Sequence, residues 1–273
     1  MFVSGELLQQ MCDVYCGLQS DFEYNPRIRM QPHKHVNLGH IGTWNNPRTI
    51  FCYTHRLPEF IAILPKIQNP FVLVTHNSDG NVTGEYKQLL EHPNLIFWHA
   101  QNVMYEHPKL GGIPIGIANS MWPHGNQYVL ANVLQKSIPK TNSVYFQFSL
   151  HTNRAEREKC FHALSAKGVV WQPSQEFAAY LETLATYKYA ICPPGNGIDC
   201  HRIWECMYLQ VIPIMLRSVF TEKVNKVFPC ILLDTWEEFD ITGLEYHTPN
   251  YSLSLDTLQE CLRTNTDYFS QKI

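Results

Sequence analysis

Charge is scarce in this chain. Asp, Glu, Lys and Arg make up 16% of the 273 residues, where soluble domains usually carry about 25%. Neither sign dominates: 21 Lys and Arg face 24 Asp and Glu, a formal net charge of -3. Without a basic excess to neutralise a phosphate backbone, nucleic acid is excluded as the main partner. No run approaches the roughly 18 apolar residues of a membrane span. The longest, Val211 to Leu216, is strand-sized and interrupted by Pro213. The first residues, MFVSGELLQQMCD, have no basic segment and carry Glu6 inside their apolar part, so no secretory leader is expected. The nine cysteines are odd in number and form no Cys-x-x-Cys pair. Reduced thiols and a cytoplasmic location are therefore expected, with the glycosylation sequons at Asn81 and Asn250 coincidental.

The standard nucleotide and nucleophile signatures are also missing. Gly195-x-Gly197 is followed by Cys200 where a dinucleotide fingerprint needs its third glycine. There is no Gly-x-x-x-x-Gly-Lys loop, no Gly-x-Ser-x-Gly elbow and no Asp-x-Asp metal clamp. His33, His35 and His40 have no carboxylates near them in sequence and read as loop histidines, so no metal site is expected.

What is abundant is core material: 45% hydrophobic and 12% aromatic residues. A first helix is expected over residues 4–16, then an irregular stretch over 20–48. Short apolar strands then alternate with helices: strands at 49–53, 70–75, 95–98 and 113–117, helices near 57–66, 85–91 and 127–136. After a linker at 137–143 the rhythm restarts, with strands at 143–148, 168–171, 189–192, 211–216 and 231–233. Helices fall at 155–167, 174–186 and 199–209, and a terminal helix at 255–269. This alternation predicts an α/β protein with parallel sheets covered on both faces. The expected division is 1–137, 143–250, and a C-terminal helix in 251–273 that packs back across the junction.

Ligands of open parallel sheets bind beyond the carboxyl ends of the strands. In the first half those exits read Thr54-His55-Arg56, Thr75-His76-Asn77-Ser78-Asp79-Gly80 and His99-Ala100-Gln101-Asn102, so three successive strands are expected to deliver a histidine to one rim. The sharpest segment lies in the second half, Cys192-Pro-Pro-Gly-Asn-Gly-Ile-Asp-Cys-His-Arg-Ile-Trp-Glu205. Glycines let backbone N–H groups approach a ligand, and a helix start adds partial positive charge, which together suit a diphosphate. Arg202 in the first turn can pair with phosphate, and Glu205 can accept hydrogen bonds from a diol. A tight strand–helix turn with an Arg–Glu surface pair fits the same residues.

The run CPPGNGIDCHRIWECMYLQVIPIML, over about residues 180–217, resembles the C-terminal signature of exostosin-like glycosyltransferases. There a Cys-Pro-x-Gly turn precedes an Arg-x-x-Glu helix and an Ile-Pro-Ile strand. THNSDG (75–80) and IPIGIANSMWPHGN (113–126) are similar to stretches of compact viral members. The resemblance implies a GT-B architecture, two Rossmann-like domains facing across a cleft. It implies an inverting, metal-independent transfer from a UDP-sugar, with UDP-xylose the expected donor and a glycan the acceptor, and no other cofactor. Arg202 would hold the diphosphate and Glu205 the ribose, with Gly195, Asn196, Gly197 and His201 around the phosphates. Arg154 is a candidate second phosphate contact, or else a solvated first-turn residue. Trp171-Gln172-Pro173 is expected near the base. An inverting transfer needs a general base. Asp79 is the first candidate, followed by His76 and His55, while Asn119, Ser120 and His124 are expected along the cleft or ordering a turn. A nonenzymatic nucleotide- or carbohydrate-binding module, and a His-dependent metal hydrolase, are the competing readings.

Overall fold

The alternating apolar segments fold into two sheets, each built only from parallel pairs. A computed structural model describes residues 2–40, 47–242, 244–250 and 253–270; the sequon at Asn250 falls partly outside them. The first half contains α1 (Gly5–Met11), β1 (Val14–Gly17), α2 (Gln19–Tyr24), α3 (Pro26–Arg29), β2 (His35–Asn37), β3 (Thr49–Tyr53), α4 (Leu57–Ile63), β4 (Phe71–His76), α5 (Lys87–Leu90), β5 (Leu95–Ala100), β6 (Leu110–Gly112) and α6 (Gln127–Leu134). The second contains β7 (Asn142–Tyr145), α7 (Arg154–Ala166), α8 (Phe177–Ala185), β8 (Tyr187–Ile191), α9 (His201–Tyr208), β9 (Ile212–Leu216), α10 (Val219–Val227), β10 (Ile231–Leu233) and α11 (Leu255–Thr264). Strand order is β2-β1-β3-β4-β5-β6 in one sheet and β10-β9-β8-β7 in the other. No helix among the described residues is long and apolar enough to cross a membrane.

Period-two side-chain alternation splits each sheet between an outer and an inner core. In β3, Ile50 and Cys52 join Leu57 and Phe60 of α4 on the outside. Phe51 and Tyr53 point inward to a core that also holds Leu8 of α1, Leu130 of α6, Leu184 of α8 and Trp204 of α9. In β8, Tyr189 and Ile191 pack outward on Cys160 and Leu164 of α7, while Ala190 belongs to the same inner core. One apolar layer thus runs continuously between the sheets. The C-terminal segment closes it: the Phe269 ring stacks on Trp204, with centroids 6.1 Å apart.

Several expected boundaries are corrected. The first helix stops at Met11, because Asp13 Oδ2 accepts the Arg48 and Thr49 N–H groups, both at 2.9 Å. The chain then enters the sheet as β1, beside β3. The fourth strand is 110–112 rather than 113–117, where Pro114 has no N–H to give and Gly116 sits at φ +67. Residues 168–171 make no strand. Trp171 instead packs edge-on to Phe146, Phe148 and Phe161. The terminal helix ends at Asn265 in left-handed conformation, φ 58, and α10 was not foreseen.

Candidate functional site

Two cavities open at the carboxyl ends of the strands, and they share a wall. One, about 430 Å³, is lined mainly by the first half. The other, about 780 Å³, is lined mainly by the second. Asp79, Ile115, Trp122 and His201 line both.

The larger cavity is built on the turn after β8. Gly195, Asn196 and Gly197 line it and lead to α9. A Cβ on Gly197 would stand 2.9 Å from Asn102 Nδ2, whereas one on Gly195 would meet nothing closer than 3.5 Å; the packing constraint falls on Gly197. Asn102 is a strut between the halves. Its Oδ1 accepts the Asp199 N–H at 2.9 Å, and its Nδ2 donates to Ser78 O at 3.2 Å. Asp199 adds a second tie, accepting from Ile115 N–H at 2.7 Å and Trp204 Nε1 at 2.6 Å. Burial pushes its carboxyl up to about 8 against those bonds.

Arg202 lies over the rings of Tyr180 and Tyr145, at 5.2 and 5.7 Å. Its Nη1 donates to Gln147 O and its Nε to Tyr180 Oη at 3.2 Å. Tyr180 Oη in turn donates to Glu205 Oε2 at 2.7 Å. Burial raises the Glu205 carboxyl, while the tyrosine hydroxyl and Arg202 pull it back. The second guanidinium in the cavity is that of Arg157. Its Nε donates to Pro194 O at 3.0 Å and its Nη1 to Ser149 O at 2.8 Å, and burial lowers its pKa. Among the described residues, neither Arg157 nor Arg202 has a carboxylate partner, and neither Nη2 has an acceptor. Arg154 is a different case. Its side chain is 75% exposed, pairs with Glu158 at 2.6 Å and lines neither cavity.

The histidines separate by environment. His76 is buried; its Nδ1 accepts the Asn77 N–H at 2.7 Å, so Nε2 carries the proton, facing Pro114 O at 3.2 Å. With both nitrogens engaged and its pKa lowered by burial to about 4, it is no free base. His99 never reaches the rim, because β5 continues past it to Ala100. It is fully buried with no partner on either nitrogen. His55 lines only the smaller cavity, its Nε2 3.4 Å from Asp21 Oδ1. His201 Nδ1 donates to Gly116 O at 2.8 Å, which leaves Nε2 as the ring's acceptor nitrogen, and the residue lines both cavities. Burial lowers its pKa; the Gly116 carbonyl and the Asp79 carboxylate act in the other direction. Asp79 is exposed there, its Oδ2 accepting from Asn196 Nδ2 at 3.2 Å.

His124 lines the larger cavity and Asn119 the smaller. Ser120 lines neither. Its Oγ donates to Glu6 Oε2 at 2.9 Å, and it borders a third groove together with Trp122. Among the described residues no three His, Cys, Asp or Glu side chains are grouped to hold a metal ion.

Arg157 and Tyr180 are site residues absent from the sequence expectations, whereas Asn102 lies in one of the strand exits and Trp122 in the 113–126 stretch, neither with a role assigned. Of the two, Arg157 had a signal, lying one helical turn after Arg154. In comparisons with known proteins, no family model and no curated protein matches this chain.

Proposed function

We propose that the protein is an inverting, metal-independent glycosyltransferase of GT-B type that moves a sugar from a UDP-sugar to a carbohydrate acceptor. One observation carries this reading: two unpaired guanidinium groups, Arg157 and Arg202, share a cavity at the start of α9. Neither guanidinium has a direct ion pair, and a diphosphate supplies the charge and the acceptor oxygens that both Nη2 groups lack. Glu205 keeps Oε1 for a ribose hydroxyl. The likeness of the Cys192–Glu205 run to exostosin-like enzymes supports the same donor, with UDP-xylose the first to test.

In the proposed reaction, the acceptor oxygen attacks the anomeric carbon from the smaller cavity while Asp79 takes its proton. The bond from that carbon to the diphosphate oxygen breaks, and the negative charge leaving on the diphosphate is held by Arg157 and Arg202. Asp79 suits the task because it lines both cavities, so it can face the acceptor without holding the donor.

The test is a panel of UDP-sugars offered with oligosaccharide acceptors, with release of UDP and the new glycoside both measured. Formation of a glycoside of inverted configuration is expected. UDP binding without transfer on any pair would reduce the protein to a nucleotide-binding module.

A further inference from the structure

We propose that Trp122 and Tyr24 form the floor of an acceptor site for an oligosaccharide, with sugar subsites on both sides of Trp122. The assignment rests on the glycosyl-transfer reading only in naming the bound sugar an acceptor.

Large aromatic side chains are normally covered. Here Tyr24 is 63% and Trp122 41% exposed. The two meet edge to face, with centroids 5.8 Å apart, at the smaller cavity. The Trp122 backbone is fixed in a turn. Its main-chain N–H donates to Asn119 O at 3.0 Å and its carbonyl accepts from Gly125 N–H at 2.9 Å. A Cβ on Gly125 would fall 1.9 Å from Asn119 O, so the turn closes only around glycine. The indole plane lies within 14° of the His124 ring.

The facing wall is polar and equally fixed. Gln9 Nε2 donates to Tyr53 Oη at 2.9 Å, Asn77 Nδ2 to Gln9 Oε1 at 3.2 Å, and Asn119 Nδ2 to Asn77 Oδ1 at 3.0 Å. A pyranose has an apolar C–H face and a rim of hydroxyls, and it matches an aromatic floor beside a pre-organised amide wall. Trp122 also borders a third groove of about 750 Å³, along with Arg27 and Tyr128. Tyr128 is 81% exposed. A sugar beside Asp79 can therefore continue past the indole into that groove, which favours a chain over a monosaccharide.

Saturation-transfer NMR on the full chain tests this, using methyl pyranosides of xylose, glucose, galactose, fucose and rhamnose with their di- and trisaccharides. At least one series is expected to bind, with its disaccharide several-fold tighter than its monosaccharide and saturation strongest on ring C–H protons. Trp122→Ala should weaken that binding at least tenfold and Trp122→Phe less. Tyr24→Ala should weaken it while UDP affinity, measured by calorimetry, stays unchanged. Failure of every sugar to bind, or wild-type binding by Trp122→Ala, overturns the proposal. Sugar binding that persists in a protein without affinity for UDP would sink the donor reading and leave this site standing.

Discussion

Asn196 and Asp79 meet across the shared wall of the two cavities, Nδ2 donating to Oδ2 at 3.2 Å. The turn that leads into α9 thereby touches the candidate base directly. Asp79→Asn preserves an acceptor for Asn196 and removes the basicity. Turnover should fall by about 10²–10⁴-fold with UDP affinity nearly unchanged. Steady-state kinetics with calorimetry separates these effects, and near wild-type turnover would shift the role to His201, which lines both cavities.

The two arginines of α7 should respond in opposite ways. Arg157→Ala removes a charge-assisted contact and should weaken UDP binding by about 1.5–3 kcal/mol. Arg154→Ala breaks only an exposed pair with Glu158 and should leave UDP binding as it was. Equal losses in both variants would contradict the placement of the diphosphate beside Gly195.

Transfer should persist in excess EDTA, because two guanidinium groups are available to take up the charge of the leaving diphosphate. Loss of activity restored by manganese would show that the arginines are insufficient.

Two buried histidines pull stability down as the pH falls below neutral, while the Asp199 carboxyl, held up to about 8, pulls the other way. Burial holds His76 at about 4 and His99 at about 3, below the roughly 6.5 of an unfolded histidine. At these two histidines the unfolded chain binds more protons between those values, so their contribution is present above pH 6.5 and is lost as pH falls toward 4. His76 alone accounts for about 3 kcal/mol of that loss. Denaturant titrations of the wild type and of His76→Gln between pH 7 and pH 4 separate that share from the opposite change at Asp199. His99→Phe should raise stability at pH 7 by about 1–3 kcal/mol, since neither ring nitrogen has a partner, and should flatten the pH dependence.

Much of the fold was legible because β3, β4, β5, β8 and β9 are apolar runs fully engaged in parallel pairing. The turn before α9 was legible because glycine and proline punctuate it. His99 was misplaced for a definite reason. Strand length is set by what pairs alongside, and β6 holds β5 extended through Ala100. Arg154 and Arg157 illustrate a second limit. Two arginines three residues apart on one helix read alike, until the Ser149 and Pro194 carbonyls select the second. Tyr180 and Asn102 come from distant segments, and no local pattern announces that they meet Glu205 and Gly197.

The unbroken inner core has a consequence for engineering. Because Leu8, Leu184 and Trp204 occupy one apolar layer, the second sheet is not a detachable cassette, and cutting near 137 would strip cover from both parts. Heat or denaturant should therefore melt the chain in a single cooperative transition. Exchanging that half for a foreign one would sacrifice the shared layer along with the larger cavity. A different ligand preference has to be sought in place, one cavity-wall residue at a time.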